Sequence, residues 1–378
     1  MIYHLIGAGH IAERFIKKNS DKLCKVYDNN QNLHGTLLLG KKVYPVQNLT
    51  DEIEGTILIC TTSIREIESQ LTELSISMDV KIPPELEEFD KQSKILDKKG
   101  QYLIASGLPS NNFHNVKGGL FLIEESDQEV MVNTILSGPC HSVVRYGENY
   151  FVSHQEEGII KLDQDFNILE KITLPQGCRP HGLMLNDTHF YVVASNFDAV
   201  IEVNRKDEST KILKLSNKFE KFKSPQHHAN DIEVIGEYAY VSMFSTSGNW
   251  KRGIYDGGLI EIDLSNGKTR ELSFDLKLPH SVRSVDGSLI ILNSFLGEFE
   301  GFKKFPKLRF NGFLRGFDHD EDYFYLAESR NRNSTGLIRE SLPSSINSNL
   351  IIVDRISNYS RTIPLPHNIS EIHSVLSI

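Results

Sequence analysis

The chain has 378 residues, of which 39% are apolar and 24% are charged, as in ordinary globular proteins, and this length suits two domains better than one. The net charge of −9, with lysine and arginine scattered along the chain, argues against binding to nucleic acid or to an anionic membrane surface. No segment approaches the roughly 18–20 apolar residues that a membrane-spanning helix needs, so we expect no membrane span.

The first residues and the cysteines bear on the cellular compartment. The N-terminal sequence lacks a basic stretch followed by a long apolar run, so it does not look like a signal peptide. None of the cysteines shows CxxC spacing: Cys24, Cys60, Cys140 and Cys178. We therefore predict four reduced thiols in a cytoplasmic protein.

Residues 1–85 are predicted to form a small α/β, Rossmann-like domain. A short apolar strand runs directly into a glycine turn and an amphipathic helix, and a second strand ends on Asp28. In this order Gly7 allows the tight turn and Gly9 lets the backbone approach a phosphate, which the helix N-terminus at His10 attracts. Asp28 is placed to accept hydrogen bonds from a ribose. We expect these four residues to bind a nucleotide or NAD.

The same segment resembles a known class of domain. Tyr27-Asp28-Asn29-Asn30 and Gly40-Lys41-Lys42-Val43-Tyr44-Pro45-Val46 resemble the small Rossmann-like domains of bacterial polysaccharide-biosynthesis proteins, including the N-terminal part of sugar-nucleotide acetyltransferases. The resemblance implies binding of a nucleotide or nucleotide sugar. The alternative is a domain that only supports assembly. The highly charged residues 86–99 that follow are predicted to be a linker, in part helical.

Residues 100–378 are predicted to form an all-β six-bladed propeller, because a pattern of about 35 to 50 residues recurs in them. Each copy begins with a polar residue, continues as a short strand, turns, and returns as an aromatic-rich strand. The copies begin at His141, His181, Asn230, His280, Arg315 and His373. The last copy stops at residue 378, so its partner can only be Gln101–Ala105, and this pairing leaves no open sheet edge.

The six starting residues are predicted to form a ring. Innermost strands of a propeller start beside the central channel at one face. The starting residues should therefore surround the channel in the order His373, His141, His181, Asn230, His280 and Arg315. Long polar loops between the second and third strands open on the same face and add further candidates. We predict catalytic roles for Arg315, His154 and Glu328. Substrate contacts are expected from His228, Asn230, Trp250, Arg252 and Arg330, and from the loop residues His114 and Arg332.

Four imidazoles around one axis suit a divalent transition metal such as zinc, iron or manganese. The predicted ligands are His141, His181, His280 and His373. Such a metal could activate water or polarise a carbonyl, while Arg315 would hold a carboxylate or phosphate. Two alternatives stay open: a metal-free anion or sugar site, and histidines that only bind channel water and backbone.

Several stretches of the propeller resemble an uncharacterised bacterial family known only as a domain of unknown function. They are Arg179-Pro180-His181-Gly182-Leu183, Asn249-Trp250-Lys251-Arg252 with Gly257-Gly258, Pro279-His280-Ser281 with Leu292-Asn293-Ser294, and Gly312-Phe313-Leu314-Arg315-Gly316. The resemblance implies a fold and little chemistry. More distantly, the ring is similar to peptidylglycine amidating lyase, whose inner histidines hold zinc, and to streptogramin lyase. Gluconolactonase-type propellers use Glu, Asn and Asp around calcium, a set that this ring lacks.

These features together favour a metal-dependent sugar-modifying enzyme of surface-polysaccharide or sugar-nucleotide metabolism. The expected reaction is that of a lyase, epimerase or hydrolase on an acidic or phosphorylated sugar. The expected partners are a sugar or nucleotide sugar, a second copy of the chain, or glycan-assembly enzymes. The alternative is a non-catalytic sugar-binding or scaffolding propeller in a glycan-assembly complex.

Overall fold

The computed structural model describes residues 2–108, 117–127, 129–301, 307–330 and 347–378. The predicted contacts His114 and Arg332 therefore lie outside the described residues. The chain divides into two compact units, Met1–Lys98 and Lys99–Ile378. Within the described ranges, none of the helices has the length and apolar character needed to cross a membrane.

The first unit contains six strands and three helices. The strands are β1 Ile2–Ile6, β2 Leu23–Asp28, β3 Leu37–Leu38, β4 Lys41–Pro45, β5 Thr56–Ile59 and β6 Asp79–Lys81. The helices are α1 His10–Lys18, α2 Ile64–Glu73 and α3 Pro84–Asp97, and short 3₁₀ helices cover Gln31–Leu33 and Val46–Asp51. The sheet order is β3-β4-β2-β1-β5-β6, and every pair is parallel except β3–β4.

Helices cover both faces of this sheet. On one face Leu5 and Leu58 pack with Ala12 and Ile16 of α1. On the other face the neighbouring strand residues pack against α2 and α3, in a cluster that includes Ile6, Ile57, Ile59, Ile64, Ile67, Leu71 and Leu86. A strand buried on both sides needs apolar residues at consecutive positions, which is why β5 is fully buried and lacks alternation.

Residues 86–99, which we predicted to be a linker in part helical, are mostly helical but belong to the first unit. Most of them belong to α3, which begins at Pro84 and buries Leu86 and Ile95. Arg65 of α2 hydrogen-bonds Asp90 of α3. The high charge of this segment comes from the exposed face of a helix that packs within the first unit, which extends to Lys98.

The second unit is a six-bladed β-propeller built from four-stranded antiparallel sheets, as the repeats predicted. We number the blades from 1 to 6 and give each from its innermost strand outward. Blade 1 is β30 Glu371–Ser377, β7 Gln101–Gly107, β8 Gly119–Glu125 and β9 Val130–Ser137; blade 2 is β10 Cys140–Tyr146, β11 Asn149–His154, β12 Gly158–Leu162 and β13 Ile168–Ile172. Blade 3 is β14 Pro180–Leu185, β15 His189–Ala194, β16 Ala199–Asn204 and β17 Thr210–Lys214; blade 4 is β18 Ala229–Ile235, β19 Tyr238–Met243, β20 Gly257–Asp263 and β21 Thr269–Leu276. Blade 5 is β22 His280–Val285, β23 Ser288–Asn293, β24 Glu298–Gly301 and β25 Leu308–Arg309; blade 6 is β26 Phe313–His319, β27 Tyr323–Ser329, β28 Asn349–Asp354 and β29 Ser360–Pro364. A short helix, α4 Lys218–Phe222, and the 3₁₀ turns Trp250–Arg252 and Ser294–Leu296 lie in the connections.

Blade 1 closes the propeller with a strand from each end of the unit. β30 pairs antiparallel with β7, and Leu376 lies opposite Leu103 and Ser374 opposite Ala105. This is the predicted closure. Innermost strands of neighbouring blades contact one another in the order β30, β10, β14, β18, β22, β26 and back to β30.

Apolar side chains fill the space between neighbouring blades. Phe151 and Ile159 of blade 2, for example, share one cluster with Phe190 and Val192 of blade 3. Burial of a side chain of this size contributes about 1.5–3 kcal/mol, so these contacts between blades hold the six innermost strands around one axis. All four cysteines of the chain are buried free thiols, and a cytoplasmic location stays a prediction.

Candidate functional site

Every innermost strand is interrupted by a β-bulge at or beside its ring residue. In blade 2 the register with the second strand shifts between Cys140 and Ser142, so that His141 stands outside the ladder. The same shift passes over His181, Asn230, Arg315 and His373, and in blade 5 it directly follows His280. A bulge twists the strand and redirects a side chain. The repeated bulge therefore gives the six starting residues their special position.

Three of the predicted metal ligands meet in space. One ring nitrogen from each of His141, His181 and His373 lies within 4.8 Å of the other two. The ring centroids of His141 and His181 are 4.3 Å apart, and that of His373 lies 4.5 Å from His141 and 5.4 Å from His181. We call these three residues the histidine triad.

Two nitrogens of the triad are buried without a hydrogen-bond partner among the described residues. Nε2 of His141 lies 3.2 Å from Oε1 of Gln155, so it carries the proton and leaves a lone pair on Nδ1. This Nδ1 and Nε2 of His181 are the two unpartnered atoms. Buried polar atoms almost always have a partner, which can be an ion. The triad therefore fits a metal ion.

Burial keeps the triad neutral. It lowers the pKa of His141 to about 3; the Gln155 hydrogen bond opposes this change, and the charges of Arg179 and Arg315 add to it. Burial likewise holds the pKa of His181 and of His373 well below the usual histidine range. A neutral imidazole is the form that binds a metal, so the triad needs no deprotonation at neutral pH.

The fourth predicted ligand, His280, has other partners. Its Nε2 accepts a hydrogen bond from Nε of Arg315 at 3.3 Å, and its Nδ1 lies 3.0 Å from the carbonyl oxygen of Leu278. Three of the four predicted ligands therefore lie together, while both ring nitrogens of His280 contact other groups. Nη1 of Arg315 lies 3.5 Å from Oε2 of Glu371, and both side chains are almost fully buried.

Asn230 completes the ring from blade 4. Its Nδ2 donates to the carbonyl oxygen of Pro279 at 3.2 Å, and its buried Oδ1 has no partner in the described part of the chain. The ring is thus divided into the histidine triad on blades 1 to 3 and a hydrogen-bonding half, Asn230, His280 and Arg315, on blades 4 to 6.

Two predicted catalytic residues hold structural hydrogen bonds. Nε2 of His154 lies 3.1 Å from the carbonyl oxygen of Ser137, and its Nδ1 accepts from the backbone N–H groups of Glu156 and Glu157. Both ring nitrogens are therefore used to hold a loop. Glu328 accepts from Nδ2 of Asn349 at 2.5 Å. His154, the last residue of β11, thus ties blade 2 to the end of β9 in blade 1, whereas Glu328 of β27 binds within blade 6.

The predicted substrate contacts separate into two groups. The ring of His228 stacks on Phe244 at 4.2 Å, lies 4.7 Å from Trp250, and lies 6.4 Å from His181. His228 and Trp250 thus belong to a cluster of aromatic rings beside the triad, which we call the aromatic wall. Arg252 is instead exposed and hydrogen-bonds Asn249 within its own turn.

Arg330 is placed by its backbone, whose N–H donates to the carbonyl oxygen of Ser370 at 3.0 Å. That bond fixes the end of blade 6 and does not establish a substrate contact.

Four residues near the triad were missed from the sequence: Gln155, Arg179, Glu371 and Gly107. A Cβ atom on Gly107 would lie 2.6 Å from Nε2 of His373, so this glycine makes room for the ligand. Arg179 and Glu371, like His228, stand two positions before a ring residue. A comparison of the repeats at that second position would have found them.

The predicted nucleotide-binding residues do lie together in the first unit. Gly7 has a positive φ of 104°, and a Cβ there would lie 2.9 Å from the carbonyl oxygen of Cys60, so only glycine fits. Asp28 accepts from the backbone N–H of Ala8 at 2.7 Å, which ties its carboxylate to the glycine turn. Gly9 and His10 are exposed at the start of α1.

Comparisons with known proteins agree with the propeller. The family model described as "Domain of unknown function (DUF4915)" matches residues 120–378, more than half of the chain, which confirms the predicted resemblance. A crystal structure of a protein of unknown function from Bacteroides caccae has a TM-score of 0.51 and 17% identity, and covers 74% of this chain and 99% of that one. A nidogen/laminin complex has a TM-score of 0.51 and 11% identity, and covers 73% and 97%. At such identities the likeness shows the fold alone, and a search among curated proteins finds no match.

Proposed function

We propose that this protein, which belongs to the DUF4915 family, is a metal-dependent enzyme whose histidine triad holds a divalent transition metal. The observation that carries the proposal is a pair of buried nitrogens, Nδ1 of His141 and Nε2 of His181, which have no hydrogen-bond partner in the described part of the chain and lie beside a third imidazole. Zinc, iron and manganese are the candidate metals, since all three accept imidazole ligands. Three histidines leave a coordination position free, as in catalytic zinc sites.

A metal bound there would polarise a carbonyl or phosphoryl oxygen or lower the pKa of a water molecule. The surrounding residues orient the ligands and substrate. Gln155 fixes the tautomer of His141, and Gly107 leaves room for His373. The aromatic wall of His228 and Trp250 offers an apolar surface to a sugar ring.

The proposed substrate is an acidic or phosphorylated sugar of surface-polysaccharide or sugar-nucleotide metabolism, and the proposed reaction is that of a lyase, epimerase or hydrolase. Two arginines, Arg179 and Arg315, place positive charge close enough to the triad to lower the pKa of His141. Positive charge beside a metal site favours a substrate with a carboxylate or phosphate. A non-catalytic sugar-binding or scaffolding propeller is the rival, and it needs no metal.

Elemental analysis of the purified protein tests the metal. We expect about one transition-metal ion per chain, and His181→Ala should reduce that content severalfold because it removes a ligand. His189→Ala in the same blade is the matched control, since His189 hydrogen-bonds Thr188 and should leave the metal content unchanged. Wild-type protein that neither contains nor takes up zinc, iron or manganese would favour the scaffolding function.

We propose that the first unit is a Rossmann-like domain that binds a nucleotide, NAD or nucleotide sugar. The order of the parallel strands reverses at β1, and the glycine turn follows the carboxyl end of that strand. Ligands bind at such switch points in α/β sheets, with the phosphate at the helix N-terminus. The Asp28–Ala8 hydrogen bond supports the shape of the turn.

Calorimetry with nucleotides, NAD and nucleotide sugars tests this second proposal. Gly9→Asp should abolish binding, because it adds a negative charge where a phosphate would lie. Ser20→Asp is the control, since it adds the same charge at an exposed turn after α1, away from the glycine turn. If the wild-type protein binds none of these ligands, the first unit is a supporting domain.

A further inference from the structure

A pocket of about 510 Å³ lies between blades 2 and 3. It is bounded by the loop that follows β11, by residues 173–180 at the start of β14, and by Asn196 in the turn after β15. Its volume is that of a site for a small molecule. No role assigned above uses this pocket.

Two lining residues join the pocket to the histidine triad. Gln155 lines the pocket and its Oε1 lies 3.2 Å from Nε2 of His141. Arg179 also lines the pocket, and only Pro180 separates it from His181 in the chain. The positive charge of Arg179 lowers the pKa of both His141 and His181, so the guanidinium acts on the triad at short range.

Two cationic residues line the pocket, Lys171 and Arg179. Lys171 forms a salt bridge with Glu157, and the two charges of this pair neutralise each other. Glu156 is exposed at the rim. Arg179 is partly buried beside the triad, so an anionic group that enters the pocket meets this guanidinium.

The backbone at Arg179 is held in an unfavourable conformation. Its φ is 52°, in the left-handed region that L-residues seldom occupy. The carbonyl oxygen of Arg179 accepts from the N–H of Ser195, and that of Gly177 accepts from Nδ2 of Asn196. Residues kept in such conformations concentrate at ligand-binding sites, where the surrounding structure fixes them.

Arg315 serves less well as the anion-binding residue. It is almost fully buried and already contacts Glu371 and His280. Arg315 is also not among the residues that line the pocket, whereas Arg179 is.

We infer that this pocket receives the substrate, and that Arg179 binds the carboxylate or phosphate of a monosaccharide-sized sugar acid or sugar phosphate. Gln155 and Asn196 supply hydrogen bonds to its hydroxyl groups. The inference rests on the proposed function for the reaction at the triad, but the binding of the anion by Arg179 does not require the metal.

Calorimetry with three probes tests the inference: glucuronate, glucose 6-phosphate and glucose. Wild-type protein should bind at least one of the two anions and bind it at least tenfold more tightly than glucose, since hydrogen bonds between charged groups are stronger than those between neutral groups. Arg179→Gln should remove that preference without changing metal content or melting temperature. Arg145→Gln, on the exposed side of blade 2, is the matched control and should bind like wild type.

The same titrations after metal removal with a chelator separate the two proposals. A preference for the anion that persists without metal, and that Arg179→Gln abolishes, supports the pocket even if elemental analysis finds no metal. Equal binding of anion and glucose, no binding of either anion, or full binding by Arg179→Gln overturns it. If Arg179→Gln does not fold, Arg179→Lys should fold and bind the anion severalfold more weakly than wild type, and unchanged binding by it overturns the inference.

Discussion

Gln155 acts on the triad from outside the ring. Its Oε1 accepts a hydrogen bond from the Nε2–H group of His141, and in this tautomer the lone pair of the imidazole is on Nδ1. Groups that orient a ligand in this way typically change metal affinity 10- to 100-fold when they are removed. We therefore expect Gln155 to affect metal affinity although it is not itself a ligand.

Gln155→Leu should lower the affinity for zinc about 10- to 100-fold, because the His141 ring loses the partner that fixes its tautomer. Gln155→Glu is the control, since it keeps an acceptor at the same place. Competition with a coloured chelator measures both affinities. Equal affinity of Gln155→Leu and wild type would show that Gln155 does not set the tautomer.

A second set of charged residues stands three positions after the ring residues of blades 4 to 6: Glu233, Arg283 and Asp318. Glu233 accepts through Oε1 from the N–H of Ser284 at 3.1 Å, and its buried Oε2 has no partner in the described ranges. Arg283 bonds Asp231 at 3.0 Å. Burial raises the pKa of Glu233 and of Asp318, although the charge of Arg283 opposes the rise for both.

These shifts predict that stability falls as pH rises above the ordinary carboxyl range. The folded protein keeps a proton on Glu233 at a pH where the unfolded chain has lost it, so the free energy of unfolding decreases until the folded-state pKa is passed. Glu233→Gln should reduce this slope, which for one group is at most about 1.4 kcal/mol per pH unit. Urea denaturation at a series of pH values from about 4 to 8 measures it, and identical slopes would refute the prediction.

At the scale of the strand, the position directly after the ring residue lies close to the backbone of the neighbouring innermost strand in blades 3 and 6. The residues after the ring residues are Ser142, Gly182, Asp231, Ser281, Gly316 and Ser374, all small except one. The exception is Asp231, and it explains why its neighbour in blade 3 is the glycine Gly182. A Cβ on Gly182 would lie 2.6 Å from Cα of Asp231 and 2.9 Å from the backbone nitrogen of Ile232.

Gly182→Ala should therefore separate β14 from β18 and destabilise the protein by about 1–3 kcal/mol, because backbone atoms cannot move aside locally. Ser142→Ala tests the equivalent position of blade 2. Its hydroxyl is buried without a partner among the described residues, so its removal should change stability little. Midpoints of urea denaturation compare the two variants. If Gly182→Ala is as stable as Ser142→Ala, the strands have more room than the structure indicates.

At the scale of the whole molecule, the last strand joins the two ends of the propeller. Deletion of residues 373–378 should leave β7 without its inner neighbour and remove the buried Val375. Loss of such side chains and of a row of backbone hydrogen bonds should lower the melting temperature by roughly 10 °C or more. His373→Ala is the control, since it removes the triad ligand and keeps the strand. A truncated protein that melts with this control would contradict the closure.

The sequence was sufficient for the repeats and for the order of the ring. Strand patterns and turn residues recur at fixed offsets, and a closed propeller places equivalent positions around one axis. The six starting residues and the pairing of β30 with β7 followed from these local regularities. A helix was expected in part of residues 86–99, but the packing of α3 in the first unit was not, because its three buried positions lie among charged residues of the exposed face.

The side-chain partnerships in the ring depended on the tertiary structure. His141, His181, His280 and His373 occupy equivalent places in their repeats, yet three form the triad and His280 binds Arg315. That choice depends on which groups the neighbouring blades bring within hydrogen-bonding distance. Gln155, Arg179 and Glu371 stand at other positions in the repeat, so an offset shared by the ring residues could not reveal them. Equivalent positions determine where a side chain begins, whereas its protonation and its partners depend on neighbours that are distant in the chain.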